Sequence, residues 1–574
     1  MANIPSAVPG ILGNTSLSEF DVVLIGSGAG GGAAARVLAK NGLTVCILEA
    51  GTNYFPGIDD PAPGNPKSLF ANDELALSVR SMIQQQSRIE PRSFRASPEA
   101  GDRTYIGEVN DLPKTVGGGW VHADMKVPRF AEFDFRMHSE LGDVAGADFA
   151  DWPLTYDELE SYYAAAERIG GAQGVDGVDP FQPWRSSPYP MPPGADMYVS
   201  QVLRKGADAL GLHAIPYPAL VTSEPYRDRP ACNDCGFCSG FGCPINAKGS
   251  VAHLRDALLT GNVQLRTECR VVALHTDAGG RIVRRAEYIG PEGRRDEVRG
   301  DRFLLAASPI ESARLLLLSD PGGAGLGNSS GLVGRNLMFH HQTNGVGIFP
   351  QNLHGERGKS VSSGFSDFRG VPNDPERPLG GIVEFGTESR KISDARQYLE
   401  QGWTGGELKS FLRSSPFGAH IAVLLMQGED APQASNRVDL DPDLVDIDGI
   451  PVPRITYQAH PFELHAREFY GPKMIDLVGA AGAQFGFVSP INEGGETPTS
   501  SHVMGTLRMG TDPKKSVVDA FCRFHDIENL YACDGAPFPT GSGYNPTLTL
   551  QALAMRTAGA IVDPLRPEAV VEKP

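Results

Sequence analysis

Short apolar runs alternate along the chain with glycine- and proline-rich turns and with helical stretches. In "DVVLIGSGAGGGAAARVLAKNGLTVCILEAG" an apolar run at 22–25 turns through Gly26, Gly28 and Gly31 into an alanine-rich segment and returns as a second apolar run ending at Glu49. That order predicts a strand, a helix and a strand, one βαβ unit. "FLLAASPIESARLLLLS" (303–319) reads as a strand ending in small residues, a turn at Pro309 and an amphipathic helix. "LYACDGAPFPTGSGYNPTLTLQALAMRTA" (530–558) reads as a strand ending at Asp534, then Gly535, a Pro/Gly turn and a long, weakly polar helix. Asn545 is expected at the N-cap of that helix, with Pro546 in the first helical position, where its missing N–H costs nothing. A further helix is expected in "DWPLTYDELESYYAAAERIGG".

The first unit points to a dinucleotide. Its glycines allow a tight turn and let a pyrophosphate approach the backbone amides at the helix start, and an acid after the second strand can accept ribose hydroxyls. The pattern closes a nucleotide-binding domain from both chain ends, because Asp534 and Gly535 at the late strand end can hold a ribityl chain and leave room for a pyrophosphate. Between them, "KTVGGGWVHADMKVPRF" (114–130) is a glycine-dense loop followed by a histidine, His122.

Composition narrows the function classes. A chain of 574 residues with 41% hydrophobic and 21% charged residues is an ordinary globular protein, long enough for two domains. A net charge of −18, from 69 acidic and 51 basic residues, repels a phosphate backbone, so no nucleic-acid partner is expected. The first twenty residues carry no basic n-region or twin arginine, and no apolar run is long enough to span a bilayer. A cytoplasmic protein without membrane insertion is the expectation. Of eight cysteines, Cys232, Cys235, Cys238 and Cys243 cluster, which suggests chemistry or a metal there more than a disulfide framework.

Taken in order, the fingerprint with Glu49, "VGGGWVHADM", "AASPIESARLLLLS", "GLVGRNLMFHH" (331–341), "SHVMGTLRMG" (501–510) and "DGAPFPTGSGYNPTLTLQALA" resemble the glucose-methanol-choline (GMC) oxidoreductases over nearly the whole chain. The resemblance implies an α/β fold in which a Rossmann-like FAD-binding domain (19–150, 231–341 and 492–574) is interleaved with an antiparallel-sheet substrate domain (151–230 and 342–491). Residues 1–18 and the "RPEAVVEKP" tail look dispensable to it. It implies oxidation of a CH–OH group, of a sugar, glycoside, polyol or sterol alcohol, with oxygen or another electron acceptor completing the cycle. Contacts to FAD are implied at Gly26, Gly28, Ala29, Gly31, Glu49, Ala50, Gly117, Gly118, His122, Val271, Asp534, Gly535, Asn545, Pro546 and Thr547.

In the family the reacting pair is a histidine from a motif like "SHVMGTLRMG" and a histidine or asparagine from one like "GYNPTLT", which here are His502 and Asn545. An imidazole has a proton affinity suited to taking the hydroxyl proton as hydride leaves for flavin N5, and a carboxamide can hold the substrate oxygen. Some members carry the flavin covalently on the histidine matching His122, and in sugar dehydrogenase subunits with a matching histidine the flavin is not covalent; the following "ADM" departs from both, and a non-covalent role beside the flavin ring is the expectation. His340 and His341 are expected to be structural, and His138, His213 and His460 to be surface or fold residues. Trp120, Phe339, Trp403 and Tyr544 are candidate pocket aromatics. The cysteine run has the spacing C-x2-C-x2-C-x4-C-P, one residue longer before its last cysteine than a ferredoxin-type run. An iron–sulfur cluster on Cys232, Cys235, Cys238 and Cys243 is therefore not favoured over a metal-free loop. Some members are flavoprotein subunits of sugar dehydrogenases, so a small partner subunit or a homo-oligomer is an alternative setting, and a redox-neutral lyase on the same fold is another.

Overall fold

The computed structural model describes residues 19–62, 66–70, 90–97, 105–107, 109–110, 112–320, 322–355, 357–386, 399, 402, 404–414, 419–490, 498 and 500–571. Residues 1–18 and Trp403 lie outside them. The expected βαβ unit is present: strand Glu19–Ile25, helix Ala29–Lys40 and strand Val45–Leu48. Both strands are buried on both faces, as parallel strands covered by helices are. The sheet continues in parallel through Val263–Arg266 beyond the second strand, and through Arg295–Leu305 on the other side of the first. The last of these is long enough to serve two partners. Its C-terminal end pairs in parallel with Leu530–Ala532, while its N-terminal end closes an antiparallel meander with Val283–Ile289 and Arg270–Thr276.

A second sheet of six strands is antiparallel throughout, in the order Phe485–Val488, His340–Ile348, Ile421–Glu429, Val383–Gly386, Val361–Phe365, Ile215–Pro216. Its two faces follow the alternation of side chains along each strand. One face carries Ala422, Leu424, Met426, Val383 and Phe385, which join Leu203, Met474, Leu477 and Val478 of helices Tyr198–Ala209 and Pro461–Ala480 in a compact apolar cluster. The other carries His340, Gln342, Leu425, Gln427 and Glu429. The polar face looks toward the nucleotide-binding half.

Chain interleaving goes further than the sequence suggests. Helix Tyr156–Gly170, expected on the substrate side, packs against helix Thr547–Val562 within the nucleotide-side core, with Tyr163 Oη 2.7 Å from Thr549 Oγ1. Strand Arg92–Arg95, from the stretch assigned to the FAD part, pairs in parallel with Pro451–Thr456 in a third sheet. The C-terminal tail, expected to stand apart from the fold, is docked through residue 571: the carbonyls of Val570 and Val571 accept hydrogen bonds from Asn41, which caps the first helix, and from Arg36 within it.

Helix Tyr156–Gly170 is anchored by a buried cation. Arg129 forks onto Glu167, donating from Nε at 3.0 Å and Nη2 at 2.9 Å, and donates from Nη1 to Glu160 at 2.8 Å and Tyr156 Oη at 2.9 Å. Arg129→Ala removes this cation, leaving Glu160 in the core without its guanidinium and Glu167 with Arg185 alone. The expected loss is about 3–5 kcal/mol of stability, read by urea denaturation of the purified protein, and a loss under about 1 kcal/mol would contradict the arrangement.

Candidate active site

One cavity of about 620 Å³ runs from the first glycine turn to the polar face of the six-stranded sheet. Its nucleotide end is a backbone cradle. Gly26 has φ of +98°, and a Cβ there would overlap the carbonyl of Ala306; a Cβ on Gly30 would overlap that of Cys533. Glu49 is buried behind the turn, where one carboxylate oxygen accepts from Ser27 N at 2.9 Å and Ser27 Oγ at 2.6 Å, and the other from Gly51 N at 2.8 Å. A carboxylate has about four acceptor positions, so this one retains capacity for a ligand hydroxyl. Asp534 accepts from Ser312 Oγ at 2.6 Å and Ala536 N at 2.9 Å, and its burial raises its pKa to about 6.

Gly26, Gly28, Ala29, Glu49, Ala50, Gly118, His122, Val271, Asp534, Gly535, Pro546 and Thr547 all line this cavity together with His502 and Asn545. Gly31 and Gly117 stand one layer behind: a Cβ on Gly31 would overlap the Gly26 carbonyl, and Gly117 N donates to Ser27 Oγ at 3.1 Å. Trp120 lines the cavity, whereas Phe339 and Tyr544 are packing residues, one edge-on to Tyr457 and the other beneath Arg369. His138 is exposed, His213 pairs with Asp367 at the surface, and His460 caps helix Pro461–Ala480.

Asn545 is not the helix cap expected of it. Helix Thr547–Val562 starts after Pro546 with no side-chain cap, and the Asn545 amide is committed elsewhere. Its Oδ1 accepts from Tyr217 Oη at 2.6 Å and its Nδ2 donates to Glu384 Oε1 at 3.1 Å. A hydroxyl donor on one side and a carboxylate acceptor on the other fix which way the amide faces and leave its second N–H for a ligand. Glu384, fully buried, also accepts from Gln427 Nε2 at 3.0 Å and pairs with Lys126, which lies 2.9 Å from Asp124. Burial opposes the Lys126 charge, but the Asp124 and Glu384 carboxylates more than offset it and raise its pKa. Gln342 donates to Gln427 Oε1 at 3.1 Å, completing a polar wall. Lys126, Glu384, Tyr217 and Gln427 were not marked out by any motif.

His502 has its Nδ1 2.9 Å from Nδ1 of His340, and its Nε2 makes no hydrogen bond among the described residues. Burial first, then His340 and Lys126, holds its pKa well below the usual imidazole value. Among the described residues neither ring nitrogen of His122 has a hydrogen-bond partner, and burial lowers its pKa to about 3, so it is neutral.

The cysteine loop touches this cavity with its backbone, through Ser239 and Gly240. No disulfide joins its four cysteines, and among the described residues no group of three or more His, Cys, Asp or Glu is placed to hold a metal ion. Burial raises the Cys232 thiol to about 11 and the Cys238 thiol to about 12. The loop is tied down by a buried ammonium: Lys248 Nζ reaches the carbonyls of Ala123 at 2.6 Å, Cys238 at 2.7 Å, Phe241 at 2.9 Å and Val121 at 3.4 Å. Lys248→Met would orphan these carbonyls. Amide hydrogen exchange across 232–243 is expected to rise by an order of magnitude or more, and unchanged protection would refute the clip.

Models of the GMC oxidoreductase family match residues 190–342 and 432–554. The chain is 30% identical over 566 residues to the fructose dehydrogenase large subunit of Gluconobacter japonicus, covering 97% of this chain and 100% of that one. It is 31% identical over 561 residues to the 2-methyl-1,2-propanediol dehydrogenase of Mycolicibacterium austroafricanum, covering 95% and 96%. In fold it is similar to pyridoxine 4-oxidase from Mesorbium loti, with a TM-score of 0.61 at 19% identity over 94% of this chain and 98% of that one. Among the described residues no helix is long and apolar enough to cross a membrane.

Proposed function

The chain belongs to the GMC oxidoreductase family, and from that premise we propose that it oxidises a CH–OH group of a small polyhydroxylated substrate, with FAD along the cavity and His502 and Asn545 at the reacting end. The observation that carries the reading is that His502, Asn545 and the glycine cradle with Glu49 and Asp534 line the same cavity. The donor set fits FAD. The glycine turn offers backbone amides to a pyrophosphate, Glu49 keeps an acceptor position for a ribose hydroxyl, and Trp120 Nε1 and both His122 nitrogens are buried without partners among the described residues. When bound, FAD supplies a two-electron acceptor for the hydride that leaves the substrate carbon.

The chain's own residues do the rest. Asn545 donates its spare N–H to the substrate oxygen and so sets the direction of the C–H bond. His502, neutral because of its depressed pKa, takes the hydroxyl proton on Nε2. The first turn of helix Thr547–Val562, which borders the cavity, offers amides and the positive end of its dipole to developing negative charge. Gln342, Gln427, Asp124 and Lys126 line the substrate side and give it hydrogen-bonding partners, which suits a sugar or polyol better than a sterol.

Two relatives support the substrate class by name, one a fructose and one a propanediol dehydrogenase. The first is also a large subunit, which favours a setting in which a smaller subunit receives the electrons; turnover that requires such a subunit, or an artificial dye in its place, would mark that case.

Anaerobic mixing with sugars and polyols is expected to bleach the flavin absorbance, which separates net oxidation from redox-neutral cleavage. His502→Ala should keep bound FAD and lose about 10²–10⁴-fold in the rate of bleaching; near-wild-type bleaching would overturn the assignment. The pH profile follows from the sign of the shift. A base with a lowered pKa stays neutral as pH drops through 6.5, so kcat/KM should hold its plateau there and fall only at lower pH, as His502 gains its proton. An acid limb centred at or above 6.5 would contradict this.

A further inference from the structure

The motifs that carry His340 and His502 meet as antiparallel backbone. Met338 N donates to Met504 O at 2.9 Å and Met504 N to Met338 O at 3.0 Å. Two residues along from this pair, in opposite chain directions, residues 340 and 502 face one another. Their rings meet edge to face, with centroids 4.8 Å apart at 80°.

The contact between the two Nδ1 atoms, at 2.9 Å, needs one hydrogen and one lone pair. The far edge of His340 decides which ring supplies the hydrogen. His340 Nε2 lies 3.4 Å from the carbonyl oxygen of Gly541, an atom that can only accept. His340 is 3% exposed, and its burial lowers its pKa to about 4, so the ring is neutral and carries a single N–H. With that hydrogen on Nε2, its Nδ1 is a lone pair. His502 must then donate from Nδ1, and its own lone pair falls on Nε2, at the cavity wall. Arg369 acts on His340 and Lys126 on His502, and both cations oppose a second proton on these rings; Glu429, opposite His340 across the sheet, is itself paired with Arg369 at 2.8 Å.

We propose that His340 is a positioning residue, which holds His502 in the Nδ1–H tautomer and in the ring orientation that turns a basic Nε2 toward the substrate hydroxyl. His340 is therefore not the purely structural residue that its place at the end of an "RNL" segment suggests. The inference rests on reading His502 as the base.

The test compares His340→Asn, whose Oδ1 can accept from His502 Nδ1, with His340→Leu, which offers no acceptor. In the FAD-loaded enzyme, His340→Leu is expected to lose on the order of 10²-fold in kcat with KM and FAD content little changed, and His340→Asn to recover most of that loss. Ring nitrogen-15 NMR of histidine-labelled protein, recorded without substrate, should find the His502 hydrogen on Nδ1 in the wild type and in His340→Asn, and a mixture of tautomers in His340→Leu. A wild-type His502 with its hydrogen on Nε2, or a His340→Leu enzyme within about threefold of wild-type kcat, overturns the proposal. If His340→Leu does not fold, the wild-type tautomer and the activity of His340→Asn decide alone, and a slow His340→Asn enzyme counts against it. Failure of the base reading appears separately, as retained rate in His502→Ala while the wild-type His502 hydrogen is still found on Nδ1.

Discussion

A carboxylate with no solvent exposure must be neutralised and hydrogen-bonded where it lies, and Glu384 meets that requirement by gathering four parts of the chain. Lys126 comes from the loop after the glycine-dense turn, Asn545 from the approach to the last long helix, Gln427 from the neighbouring strand, and Tyr217 joins through Asn545. Much of the geometry around His502 and Asn545 follows from this. The Asn545 amide can point only one way, and Lys126 sits close enough to His502 to help keep it neutral. Removing the carboxylate would leave a buried ammonium with Asp124 alone and two amides short of an acceptor.

The histidine pair depends on a different kind of constraint, the backbone exchange between Met338 and Met504. Side chains alone could not fix two imidazoles at a specified edge, because either ring can rotate about χ2 at little cost. The pairing sets the Cα positions, the Gly541 carbonyl sets the hydrogen on the far ring, and the near ring has one arrangement left. The same logic appears wherever a histidine's second nitrogen is held by an acceptor that determines its tautomer.

This separates what the sequence makes legible from what it does not. The glycine turn, Glu49, Asp534 and the strand–helix order around them are local: each is written within about thirty residues, in glycine spacing and apolar runs, and the structure brings them to one cavity. The six-stranded sheet was expected only through a resemblance, because strands such as Val383–Gly386 are short and lie beside glycine-rich stretches. Lys126 and Glu384 are 258 positions apart, and no periodicity links an isolated lysine to an isolated glutamate. Asn545 was misread as a cap because Asn before Pro is a good capping sequence, yet a buried carboxylate and a tyrosine hydroxyl outbid the helix amides for its side chain. His340 was read as structural because a histidine at the end of an apolar run carries no signal of its neighbour across the backbone pair.

The polar wall and the apolar core are two faces of one sheet, so their positions cannot be chosen independently. Pairing His340–Ile348 with Ile421–Glu429 places His340 opposite Glu429 and Gln342 opposite Gln427 on the cavity side, and Leu424 and Met426 on the helix side. A slip of one residue would exchange the faces, driving Gln427 and Glu429 into an apolar cluster and taking His340 out of reach of His502. What resists the slip is packing remote from the chemistry. Helix Pro461–Ala480 lies so close that a Cβ on Gly345 would come within 2.8 Å of Met474, and one on Gly347 within 2.9 Å of Val478. In any other register larger side chains would meet that helix. The apolar face thus sets the register, and the register delivers His340 to His502.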